Sequence, residues 1–322
     1  MIDREIYGIG AAKPAKNPKK YNKRGDKKME RISATSDLAF KKVLGSEENK
    51  DILAGFIKDF FEVEAEEIVI EKPYSVTICK EYMQQEEISR LRETLKDVAA
   101  SFRTADFISE LQVKKTSYYE ERSLYYPLDR FVQNYSKVER MKTDSEGRPI
   151  RYSSLRPIYA MNILGYKLFE KDEDALRIFE LYDPKRKKEF VNRLLRIGYF
   201  ELSKANIETT NQEHWRDYYN TGKVSESAPA YIKKASEIIE YINLTEEERT
   251  MITTLERLEA NEQAERYYHF IEGKAEGIAE SEKKAYGEKI EAVKNFIKMG
   301  LSDSQISTAM KISEKEVSHL RK

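Results

Sequence analysis

Two strand-like runs, Thr94 to Phe102 and Phe107 to Val113, stand on either side of the short polar stretch Arg103-Thr104-Ala105-Asp106, and this pattern limits the chain's fold more than any other. Runs of that length joined by so few residues fold back on each other as a β-hairpin. Alternate side chains of a strand point to opposite faces, so Glu110, Gln112 and Lys114 project from one side of the second run. With the turn centred near Thr104 and Ala105, Asp97 falls close to cross-strand partnership with Glu110, and a one-residue slip or a bulge would complete the match. Two readings of this acidic pair are open. The carboxylates could be solvated residues on a sheet edge with no role. Against that, Glu110 sits within F-I-S-E-L-Q-V, apolar enough for a central strand, where an unpaired carboxylate is costly. A bound cation would offset the cost.

The flanking segments give the hairpin its setting. From Ser36 to Phe61 the apolar residues Leu38, Phe40, Val43, Leu44, Ile52, Leu53, Phe56, Ile57, Phe60 and Phe61 keep a helical rhythm that breaks at Gly45, which predicts two helices. Ser36 or Asp37 is placed to cap the first; Asp37 has the alternative of approaching the acidic pair. Ile68 to Ile78 alternates and is rich in β-branched residues, predicting a strand. Tyr118 to Met141 returns to helical spacing, and Pro157 to Phe169 is apolar enough for a buried strand. The resulting α-β-β-β-α-β order is that of an α/β domain, a mixed sheet flanked by helices, expected over residues 31–222. Beyond Glu180 come a strand-like piece, a basic cluster from Lys185 to Lys188 and the apolar run Leu194 to Leu202.

After Thr221-Gly222 the chain reads as a helical extension. Residues 223–295 form a charged helical connector with i,i+4 pairs and repeated glycines, a solvated or self-associating helix. Residues 296–322 form a separate two-helix unit, with a stop at Gly300 and caps at Ser302 and Ser313. At the other end, residues 1–30 carry many lysines among Gly, Pro and Asn and read as a disordered basic arm. Met29, just before the first patterned segment, is the expected native start.

Composition excludes several chemistries. Cys79 is the single cysteine among 322 residues, so neither an intrachain disulfide nor a cysteine-rich zinc site can form. His214, His269 and His319 lack metal-ligand spacing and are expected to be surface or packing residues. No apolar run of about 18 residues occurs and no secretory signal leads the chain, so a cytoplasmic protein without a membrane anchor is expected. Net charge is zero, which leaves DNA binding to local patches rather than an overall positive field. The tyrosines clustered between Tyr118 and Tyr166 suit either base stacking or packing.

Five strings carry a resemblance: S-D-L-A-F-K-K-V-L-G-S-E-E-N-K-D-I-L, K-D-V-A-A-S-F, S-E-L-Q, E-R-S-L-Y-Y and Y-S-S-L-R-P-I-Y-A-M-N-I-L. In this order and spacing, from about Ser36 to Trp215, the chain resembles the PD-(D/E)XK nuclease family transposases, also called Rpn family recombination-promoting nucleases. The resemblance implies a restriction-endonuclease-like core that cleaves DNA with Mg²⁺, Mn²⁺ being an acceptable substitute, and it maps the metal carboxylates onto Asp97 and Glu110. Gln112 falls where the superfamily signature has lysine; within this family glutamine is the usual occupant, and its expected role is to orient water or a metal-bound oxygen. The positive charge near the attacking water is then unassigned. Lys114, on the same strand face, is a candidate for it, whereas Lys96 and Lys115 point elsewhere.

Arg122 matches the arginine of the family's R-x-x-Y pattern, with Tyr125 following. It is a candidate phosphate-binding residue, or else is fixed in an ion pair with Glu120 or at a helix end. Tyr125 and Tyr126 are expected in the core. The C-terminal unit resembles a small helix-turn-helix, which would either track DNA or pack with the charged helix into a homo-oligomer. A second function class is open as well: a DNA-binding or scaffold protein that keeps the nuclease fold without turnover.

Overall fold

A computed structural model describes residues 31–321, apart from residues 86, 88, 92–94, 96, 139–142, 144, 148–154, 187 and 190–192. The expected basic arm, Met29 and Lys96 lie outside the described residues. The chain divides into two compact units, one built from residues up to 75 together with 87–244, the other from 76–86 together with 245–322.

In the first unit, helix α1 (Asp37–Leu44) opens at Ser36, whose hydroxyl accepts the Ala39 N–H at 3.2 Å. That satisfies one of the donors a helix start leaves unpaired. After the break at Gly45, α2 (Lys50–Phe61) buries Ile52, Leu53, Phe56, Ile57, Phe60 and Phe61. The sheet that receives them has six strands in the order β1-β2-β3-β4-β8-β5. These are β1 (Val69–Glu71), β2 (Asp97–Phe102), β3 (Ala105–Gln112), β4 (Ile158–Leu164), β5 (Leu176–Glu180) and β8 (Leu195–Glu201); β6 (Tyr182–Asp183) and β7 (Lys188–Glu189) form a separate ribbon. Strands β3, β4 and β8 run parallel and the other pairs in this sheet antiparallel, so the sheet is mixed as expected.

One face of the sheet is an aromatic layer. Phe61 meets Tyr159 at 5.2 Å between ring centroids, Phe60 meets Phe200 at 4.9 Å, and Phe56 meets Trp215 of α5 (Thr210–Thr221) at 5.0 Å. Such pairs contribute about 0.5–1.5 kcal/mol each beyond the area they bury. Gly198 in β8 leaves room for the end of the Met161 side chain, whose Cε would lie 2.7 Å from a Cβ there. Asp59 ties α2 to its neighbours by accepting from Trp215 Nε1 at 2.8 Å and from Tyr231 on α6 (Ala230–Ile238). The other face, carrying Ala160, Leu164, Ile197 and Tyr199, lies under the start of helix α4 (Tyr119–Val138), with Tyr119 packed into it.

One predicted strand is corrected. Only Val69–Glu71 of the Ile68 to Ile78 segment pairs with the sheet. Lys72 takes the left-handed backbone at φ 49° and Pro73 follows, which ends the ladder. The β-branched run Val76-Thr77-Ile78 then starts a helix, α3 (Val76–Gln84), in the second unit.

That unit also contains α7 (Glu246–Lys298), α8 (Asp303–Met310) and α9 (Glu314–Leu320). Thr245 and Glu248 form a reciprocal capping box at the start of the 53-residue α7. Gly300 takes φ 83° at the stop, and Ser302 and Ser313 form capping boxes for the last two helices, as their spacing predicted. Val293, Ile306 and Val317 are the buried centre of this terminal cluster. No helix among the described residues is long and apolar enough to cross a membrane.

Candidate active site

Asp97 and Glu110 are direct cross-strand partners, and the same register runs without a bulge to Phe102↔Ala105. The turn is therefore Arg103-Thr104 alone. It is two residues shorter than the polar stretch suggested, because Asp106 belongs to β3 and is buried among Arg130 and Arg156. On its other side Glu110 pairs with Asn162 of β4. Asp97, Glu110 and Asn162 thus form a row across three strands, and all three line a cavity of about 210 Å³ together with Ser123 and Arg130 of α4. That is room for several waters at about 30 Å³ each.

The row is asymmetric in its exposure. Asp97, the first residue of β2, is exposed, while Glu110 is only 6% exposed. A carboxylate in that position needs positive charge or strong donors. Arg122 of α4 meets the need: its Nη2 donates to Glu110 Oε1 at 2.8 Å and to Gln112 Oε1 at 2.7 Å. The guanidinium also lies 5.0 Å from the centre of the Tyr119 ring, a cation–π contact. Tyr119 in turn donates its hydroxyl to Asn162 Oδ1 at 3.0 Å, and Asn162 Nδ2 donates to the Gly198 carbonyl at 3.1 Å. Burial, reinforced by the negative charge of Glu110, holds the Tyr119 hydroxyl far above the usual phenol range. Tyr166 is pushed up to about 12, again mainly by burial. Both phenols remain neutral at physiological pH.

The site residues expected from the sequence fall into two groups. Asp97, Glu110, Gln112 and Arg122 come together at one end of the hairpin. Arg122 is not paired with Glu120; its partners are the two β3 side chains themselves. Lys114 lies past the end of β3, exposed and outside the cavity lining, and its main-chain carbonyl accepts from Gln112 Nε2 at 2.7 Å. Lys115 faces Glu170 at 3.8 Å. Tyr125 and Tyr126, both expected in the core, are 61% and 41% exposed, because the sheet-facing stripe of α4 runs through Tyr119, Ser123, Pro127 and Arg130. His214 is buried and His269 is a surface residue beside Glu272.

Two residues of the neighbourhood are absent from that expected set. Asn162 is the one polar residue in the strand I-Y-A-M-N-I-L, and that interruption was the available signal. Lys41 of α1 is buried, and its Nζ donates to the main-chain carbonyl of Asp97 at 2.7 Å. Its signal was a lysine three residues from both Leu38 and Leu44, on the helix's apolar stripe.

The donors at this end are oxygens: the carboxylates of Asp97 and Glu110 and the amide oxygen of Gln112. Among the described residues no group of three or more His, Cys, Asp or Glu side chains could hold a metal ion. Mg²⁺ does not require one, since one or two carboxylates suffice while waters complete its shell. The pair therefore suits a hard divalent cation and not a softer one. A cation drawing on Glu110 and Gln112 would compete with Arg122 for the same atoms.

The family model for the PD-(D/E)XK nuclease family transposases matches residues 34–267 of the chain. No curated protein and no solved structure matches it.

Proposed function

The chain belongs to the PD-(D/E)XK nuclease family transposases, and from that membership we propose that it is a metal-dependent DNA endonuclease, hydrolysing phosphodiester bonds at the Asp97 and Glu110 pair. The observation that carries the reading is the direct cross-strand pairing of these carboxylates beside a cavity. In this proposal Asp97 and Glu110 hold Mg²⁺, with Mn²⁺ able to replace it. Such a cation polarises a phosphoryl oxygen and lowers the pKa of an attacking water when bound. Gln112, at the mouth of the pair, orients that water. Arg122 gives the guanidinium that grips the scissile phosphate once Glu110 is neutralised otherwise, and Lys114 meets the phosphate from the solvent side. Asn162, held by Tyr119 and the Gly198 carbonyl, keeps the floor of the row rigid.

The biological setting proposed with it is recombination or mobile-element DNA in the cytoplasm. The C-terminal helices are proposed to join copies of the chain into a homo-oligomer: Tyr267, Tyr268, Phe270, Ile271 and Ile278 are exposed on α7. A second reading, a DNA-binding scaffold without turnover, is favoured by one observation, the occupation of Glu110 and Gln112 by Arg122. Incubating supercoiled DNA and a structured RNA with the protein in Mg²⁺ or EDTA separates the two. The endonuclease nicks DNA only, and only with the metal; retention of intact DNA on the protein under both conditions would support the scaffold.

A further inference from the structure

Lys41 is 2% exposed, and a buried ammonium is stable only where acceptors replace its water. One of its acceptors is the carbonyl of Asp97, 2.7 Å from Nζ. The position of that carbonyl gives the contact its meaning. Among the described residues, strand β1 pairs with β2 from Val69↔Ser101 to Glu71↔Ala99, and that ladder stops two residues short of Asp97. Lys41 reaches the main chain of the proposed metal ligand from a different element, α1. A Cβ on Gly45, the residue that ends α1, would come within 2.7 Å of the Lys41 carbonyl and 2.9 Å of Lys41 Cδ, so the lysine stem runs close beside the end of its own helix.

We infer that Lys41 is a positioning residue for Asp97: its buried ammonium anchors the Asp97 main chain and so fixes the carboxylate opposite Glu110. The inference rests on the proposed role of Asp97 as a metal ligand. It also means that positive charge reaches this end of the hairpin from α1, although the signature position, Gln112, carries none. Metal sites lose about 10- to 100-fold in affinity when an outer hydrogen-bond partner of a ligand is removed.

The test is calorimetric titration of Mn²⁺ into the full chain without DNA, with circular dichroism to verify folding. Asp97→Asn loses the site. Lys41→Met, which keeps the stem and removes the ammonium, binds Mn²⁺ about 10- to 100-fold more weakly. Lys41→Arg, which keeps a donor, recovers at least part of the affinity. Lys41→Met binding as tightly as wild type, while Asp97→Asn does not bind, would overturn the inference and leave the site reading intact. Wild-type affinity in Asp97→Asn would overturn both. Should Lys41→Met fail to fold, Lys41→Gln is titrated instead, and wild-type affinity in that variant overturns the inference equally.

Discussion

Replacing Arg122 by alanine removes the cation that sits on the buried end of the acidic pair. The side chain of Glu110 is 8% exposed and that of Arg122 29%. Removing one partner of a fully buried pair costs about 3–5 kcal/mol, and a hydrogen bond to a charged group is worth about 1.5–3 kcal/mol. Because the guanidinium keeps nearly a third of its surface in water, the lower range applies, and Arg122→Ala should lose about 2 kcal/mol. Trp215, the single tryptophan and fully buried in the first unit, reports that unit's unfolding by fluorescence in denaturant. The measurement is made in EDTA and repeated in saturating Mg²⁺. A cation on Glu110 replaces the lost charge, so Mg²⁺ should stabilise the variant more than the wild type and narrow the gap to about 1 kcal/mol or less. An equal gap with and without metal would refute the competition between Arg122 and the metal. A gap below about 0.5 kcal/mol in EDTA would refute the stabilising role itself.

Three further outcomes follow from the same geometry. Gln112→Lys, which restores the superfamily signature, sets an ammonium against the guanidinium now 2.7 Å from Gln112 Oε1; it should destabilise the first unit by about 2 kcal/mol, and the double variant with Arg122→Ala should recover part of the loss, whereas simple additivity would contradict this. Burial raises the phenols of Tyr119, Tyr199, Tyr218 and Tyr231 above their ordinary value and Tyr166 to about 12. A raised folded-state value stabilises fully below the unfolded value near pH ~10 and is lost as pH rises through the folded one, so stability should fall between about pH 10 and 12 as tyrosinate absorbance rises, and an unchanged denaturation midpoint would contradict it. Tyr268→Glu with Ile271→Glu on α7 should reduce the mass in light scattering from that of an oligomer to that of a monomer, and equal masses for variant and wild type would rule out association through that face.

What the sequence revealed depended on how local the signal was. The hairpin, the two N-terminal helices, the buried strand β4 and the capped C-terminal helices follow from periodicity and from polar residues at element ends, and the structure has them. The hairpin turn was misjudged for a tertiary reason: Asp106 looks like a loop residue until Arg130 and Arg156 bury it within β3. The β-branched residues at 76–78 favour a strand, yet they open a helix that buries Cys79, a packing preference no short window contains. The same limit hid the partner of Arg122, since Glu120 is the near carboxylate in sequence and Glu110, on a different element, is the one it binds. Lys41 and Asp97 are 56 residues apart, a separation that no local pattern spans.

The central claim is that the cross-strand carboxylates perform metal-dependent hydrolysis of DNA. Conversion of supercoiled plasmid to nicked or linear form tests it directly, with wild type, Asp97→Asn and Glu110→Gln proteins, each shown to be folded, in Mg²⁺ and in EDTA. Cleavage by wild type in Mg²⁺, its absence in EDTA, and a loss of about 100-fold or more in both variants is the expected result. Cleavage that persists in both folded variants, or none by the wild type with Mg²⁺ or Mn²⁺, would contradict the account.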